Sequence, residues 1–138
     1  MSDLGEPYIP ASESPKELTL RVIVVGIILG ILMTAANAYL GLYAGMTVSA
    51  SIPAAVMSMI ILRTAFNDVS ILENNAVQTM ASAGESLAAG IIFTVPAFLV
   101  IGIWTEIQWL DTMIIALLGG LLGTMFTIAL RRLFIVEE

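Results

Sequence analysis

The chain has 138 residues, of which 59% are hydrophobic and 12% charged, and its mean hydropathy is +1.00. Soluble domains carry about 25% charged residues, so five basic and eleven acidic side chains cannot cover a water-soluble surface. The composition excludes disorder and points to an integral membrane protein. A net charge of −6 with so few Lys and Arg argues against nucleic acid as a partner.

The acids belong to the ends. Asp3, Glu6, Glu13 and Glu17 precede the first apolar run, and Glu137 and Glu138 close the chain. Residues 1–20 therefore read as an acidic cytoplasmic tail. With no Cys and no His, disulfides, Cys–His catalysis, structural zinc and a His proton relay are all excluded within the chain.

No residue between Arg21 and Arg63 is charged. As one helix that run would be about 60 Å long, twice the ~30 Å hydrocarbon thickness. It must fold back, and the break is expected at 41–47, where Gly41 and Gly45 flank Tyr43. The first span is then about 22–42 and the second about 48–66. Ser51 is expected to cap the second helix, with Pro53 in its first turn and Arg63 snorkelling from its far end. The basic residues before the first span, and Ala36-Asn37-Ala38 within it, look superficially like a cleavable leader. Four acids precede the apolar run and the run continues past that site, so cleavage is not expected.

Residues 67–85 contain no proline and no glycine before Gly84. As a helix over about 70–85, they align Asn75, Gln78, Thr79, Ser82, Glu85 and Ser86 as one polar stripe at spacings of three or four. The stripe runs straight into a third span, about 86–105, which Pro96 should kink rather than end. A polar link containing Glu106 and Asp111 leads to a fourth span, about 112–130. The expected fold is all-α and polytopic, with about four transmembrane helices and a polar-faced helix leading into the third. With both ends cytoplasmic, Lys16, Arg21, Arg63, Arg131 and Arg132 all fall inside, while Tyr39, Tyr43, Trp104 and Trp109 form an outer belt.

Two readings of the stripe stand side by side. It is either an amphipathic helix on the inner surface with Glu85 at the headgroup boundary, or a helix lining an aqueous cavity. Asn37 likewise is either an interhelical hydrogen-bonding residue or part of a pathway. The pairs Gly26/Gly30, Gly41/Gly45 and Gly119/Gly123 permit close helix approach without saying which helices meet. The methionines read as adaptable packing rather than soft-metal ligands. No nucleophile–base pair, P-loop or paired-acid cluster occurs, so an enzyme is not expected, and neither a cofactor nor a metal is called for.

The block from Glu73-Asn74-Asn75-Ala76-Val77-Gln78-Thr79 through Ala81-Ser82-Ala83-Gly84-Glu85-Ser86 resembles a signature of the oligopeptide transporter superfamily. Glu17-Leu18-Thr19-Leu20-Arg21 resembles the lead into that family's first span. Asn37 to Leu42 and Gly45 to Ser49 resemble the region after it. The pattern is closest to the prokaryotic branch, related to the yellow stripe-like transporters, where Gly84-Glu85-Ser86 is typical. The resemblance implies secondary active, usually proton-coupled uptake of oligopeptides or metal-chelate complexes across the cell membrane. It also implies that residues 21–138 are the N-terminal part of a larger membrane domain, completed by further spans. On this reading Asn37, Asn75, Gln78, Thr79, Ser82 and Glu85 are candidates for the translocation pathway. Glu85 is the candidate proton-coupling acid, because a carboxylate in a partly desolvated cavity has its protonated form favoured. The alternative is a complete four-span protein acting as an oligomeric channel or accessory subunit.

Overall fold

A computed structural model describes Ile9 and residues 14–136 of the chain. Asp3, Glu6, Glu13, Glu137 and Glu138 lie outside the described residues. Four helices follow one another: α1 (Leu20–Ala44), α2 (Ser51–Ala65), α3 (Ile71–Val100) and α4 (Trp109–Arg131), the last running into a π-helical turn, Arg132–Val136. At 1.5 Å per residue, α1, α3 and α4 are about 37, 45 and 35 Å long, each enough to cross ~30 Å of hydrocarbon. All three are also apolar enough to do so. The 15-residue α2 reaches only about 22 Å. The chain is an all-α, polytopic membrane protein with three long helices and one short one.

The helix bounds differ from the expected spans, most consequentially around the second and third. The second begins at Ser51 rather than 48, because 46–50 stay non-helical. Its N-cap is Ala50, with no side-chain cap of its own, so Ser51 is the first helical residue and not the cap. The polar-striped segment and the third span form one continuous helix, α3, which passes Pro96 and stops at Val100 instead of 105. Beyond it, Gly102 turns the chain at φ +75°, and Trp104 tilts against Phe98 with ring centroids 5.1 Å apart.

Glycine sets the closest packing. A methyl group at Gly26 would lie 2.7 Å from the Met80 sulfur. At Gly84 it would lie 2.7 Å from Thr34 Oγ1, and at Gly41 the same distance from Ile92 Cγ2. These contacts rise together along both chains, so α1 and α3 run parallel, with backbones closer than larger residues allow. Gly45 serves the turn instead, ending α1 at φ +68° with its N–H donating to the Gly41 carbonyl at 3.0 Å. Val22, Leu29, Val77 and Ala81 join Ala54 and Leu62 of α2 in the buried core. α2 lies antiparallel to α3. No residue of α4 is buried, and Gly119 and Gly123 face open space. This arrangement brings Arg21, Arg63 and Arg131 to one end and Tyr39, Tyr43 and Trp109 to the other, as the alternating helix directions require.

Candidate functional site

Residues 46–50 interrupt the helices where apolar sequence continues on both sides, and backbone left without partners there is costly. Two side chains supply what the missing helix does not. Asn37, buried in α1, donates from Nδ2 to the Val48 carbonyl at 2.8 Å and accepts the Val48 N–H on Oδ1 at 3.0 Å. A primary amide is suited to this, because it offers a donor and an acceptor side by side. Glu85, 8% exposed on α3, accepts the Ala50 N–H on Oε2 at 2.8 Å.

Ala50 cannot cap α2 through its methyl side chain, and Pro53 has no N–H to be satisfied. The carboxylate of Glu85 therefore caps α2 from another helix. An anion at this position also faces the positive end of the helix dipole.

The expected polar stripe divides in two. Glu85 and Ser82 turn toward α2, where Ser82 Oγ lies 3.1 Å from Ser51 Oγ. Asn74, outside the expected stripe, hydrogen-bonds the buried Ser58 of α2. These contacts form a polar seam along the α2–α3 interface. Asn75, Gln78, Thr79 and Ser86 stay on the uncovered side. Gln78, Thr79 and Ser86 line a shallow groove there, with Ser82 at its edge and Ala83 between. Thr79 and Ser86 donate back to the carbonyls of Asn75 and Ser82, at 2.8 and 2.9 Å. The side-chain amides of Asn75 and Gln78 carry no such bond to the described residues. Glu85 does not line this groove. The reason is geometric: spacings of three and four drift around a 3.6-residue helix, and α2 covers the side to which Glu85 turns. The N-terminal half of α3 packs one face into the helix bundle. Its Glu73, Val77, Ala81 and Glu85 are all buried.

The sequence reading missed a second buried carboxylate. Glu73 is 1% exposed and receives Arg21 side-on, Nε to Oε1 at 2.8 Å and Nη2 to Oε2 at 2.6 Å. Thr19 Oγ1 adds a bond at 2.7 Å and the Ser70 N–H one at 3.2 Å. The same guanidinium donates to the Asp68 carbonyl at 2.6 Å and lies over the Phe66 ring, 5.0 Å from its centroid. One cation thus ties the start of α1 to the α2–α3 link and the start of α3. A local signal was present: Ser70-Ile71-Leu72-Glu73 is a capping box, with Ser70 accepting the Leu72 N–H at 3.1 Å. What the spacing could not reveal is that Arg21 shares that carboxylate.

Parallel helices joined along a glycine seam, a short helix on non-helical backbone, an apolar core and an uncovered polar groove define a helical membrane protein. The profile of the family described as OPT oligopeptide transporter protein matches residues 17–138, and the chain belongs to that family. It is 50% identical over 100 residues to a protein of Haemophilus influenzae described as "Putative oligopeptide transporter". That match covers 72% of this chain and 16% of the relative, so the chain spans about a sixth of that protein's length. No solved structure matches the chain.

Proposed function

We propose that this chain forms the N-terminal part of a secondary active, proton-coupled importer of oligopeptides. It sits in the cell membrane with both ends cytoplasmic and completes its pathway with further spans. The bilayer surrounds it, and the uncovered surface of α4 suits packing against those spans. The available amides of Asn75 and Gln78 favour peptides over metal-chelate complexes, since each can donate to and accept from a peptide backbone. Glu85 is the coupling acid. The observation that carries this is a carboxylate, 8% exposed, held by a backbone N–H with no basic side chain among its partners. Ionisable groups at such depth mark proton and substrate paths in membrane proteins.

Uptake of a labelled peptide under an imposed proton gradient tests the assignment, in cells producing the protein at its natural length. Glu85→Gln keeps the side-chain shape and removes the carboxyl group. It is expected to abolish pH-driven accumulation while counterflow exchange of peptide continues. Accumulation equal to the unsubstituted protein, with the same pH dependence, would remove Glu85 from the coupling role.

A further inference from the structure

We propose that Glu85 is a proton-operated latch on α2, and that Asn37 is the fixed hinge of the same segment. The latch rests on the coupling role proposed for Glu85 and names the element that the proton moves.

The segment 46–50 is held at two points of different chemistry. At Val48 the holder is the Asn37 amide, which does not titrate, and both of its bonds persist at any pH. At Ala50 the holder is the Glu85 carboxylate. A hydrogen bond to an ionised acceptor is roughly twice as strong as a neutral one. The charge also gains from the positive end of α2, a contribution that vanishes on protonation. Protonating Glu85 therefore weakens the attachment at Ala50 and leaves that at Val48 unchanged.

The remaining polar fastenings between α2 and α3 are neutral: the Ser51–Ser82 contact beside the latch and the Ser58–Asn74 bond about two turns further along α2. Ala54 and Leu62 of α2 also share the buried apolar core with Val77 and Ala81 of α3, and that packing does not depend on charge. By contrast, α1 and α3 pack closely at Gly26, Gly84 and Gly41, where an added methyl group would clash, and none of these contacts involves a titratable group. So a proton at Glu85 loosens the first turn of α2 against α3, ahead of the buried Ala54, while the contacts between α1 and α3 do not change. That end lies beside Ser82, at the edge of the polar groove.

No neighbouring charge competes for control. On α1, Arg21 is paired with Glu73 at the opposite end, and Tyr39 and Tyr43 are exposed at 68% and 80%. On α2 the one charged residue is Arg63, in the last turn. On α3, Glu73 lies more than three helical turns earlier, about 18 Å along the axis. α4 carries Asp111 in its first turn and Arg131 in its last, and none of its residues is fully buried.

Spin-label pairs test the latch in the protein at its natural length, in membranes. The chain contributes no cysteine of its own. One pair joins exposed positions of α2 and α3, Ile52 and Phe93, and a reference pair joins α1 and α3, Ile27 and Phe93. Between about pH 8 and about pH 3, well to either side of the ~4.3 of a glutamate in a model peptide, the Ile52/Phe93 distance is expected to shift. The shift should be about 1–2 Å or more, the scale of known helix movements. The Ile27/Phe93 distance should stay constant, and Glu85→Gln should give the low-pH distance at both pH values. A constant Ile52/Phe93 distance in the unsubstituted protein overturns the latch, as does a pH-dependent shift that survives Glu85→Gln. The two proposals fail separately. Lost accumulation in Glu85→Gln with a pH-invariant distance removes the latch and keeps the coupling acid. Retained accumulation with a proton-dependent distance keeps the latch and removes the coupling acid.

Discussion

Arg21→Met is expected to destabilise the fold, because it leaves a buried carboxylate without its cation. The two partners are buried unequally: Glu73 is 1% exposed, whereas the Arg21 side chain is 27% exposed. Deleting the guanidinium strands the carboxylate with Thr19 and the Ser70 N–H as its neutral donors. Deleting the carboxylate instead leaves a cation that reaches solvent, the Asp68 carbonyl and the face of Phe66. Glu73→Gln should therefore cost less, about 1–2 kcal/mol. Combining Arg21→Met with Glu73→Met should recover part of the loss, since well-packed apolar residues often replace a buried pair at little cost. Unfolding in mixed detergent micelles measures all three. A Glu73→Gln loss equal to or larger than that of Arg21→Met would contradict the unequal burial behind this ranking.

Asn37→Ala is expected to cost about 2–3 kcal/mol by stranding the Val48 N–H and carbonyl in apolar surroundings. It should also speed thiol labelling of a cysteine placed at Thr47, because the segment loses its fixed attachment. Thr94→Ala is the control. The Thr94 hydroxyl donates to its own helix at the Gly90 carbonyl and is exposed, so its loss should change stability by no more than about 0.5 kcal/mol. Equal stability and equal labelling in the Asn37 and Thr94 variants would show that Asn37 does not hold the segment.

The class of the protein was legible because hydrophobic mass and charge placement are sequence properties. The long uncharged run to Leu62, broken at Gly45, gave the first two helices their order. The block from Glu73 to Ser86 gave the family. What spacing could not give was which partner each polar group finds. Glu85 and Gln78 project to nearly the same side of an isolated helix, and only α2, lying antiparallel on α3, separates a capping carboxylate from a groove-lining amide. Asn37 was legible as a hydrogen-bonding residue, but its partner is backbone of the chain leading into α2 rather than another helix. The Arg21–Glu73 pair was hidden for the same reason, since residues so far apart in sequence meet only after α1 and α3 pack in parallel. The glycine pairs show the reverse case. Gly26 and Gly30 pack as their spacing allows, whereas Gly119 and Gly123 have the same spacing and an added methyl group at either would meet nothing among the described residues.

The central claim is that the uncovered polar side of α3 lines the peptide pathway, and cysteine protection addresses it most directly. Single cysteines at Gln78 and Thr79 are to be labelled with a small polar thiol reagent in the protein at its natural length, with and without a transported peptide. A cysteine at Phe93, also exposed on α3 but outside the groove, serves as reference. The account predicts that peptide slows labelling at 78 and 79 in proportion to its occupancy and leaves 93 unchanged. Equal labelling rates at 78 and 79 with and without a saturating transported peptide would contradict it.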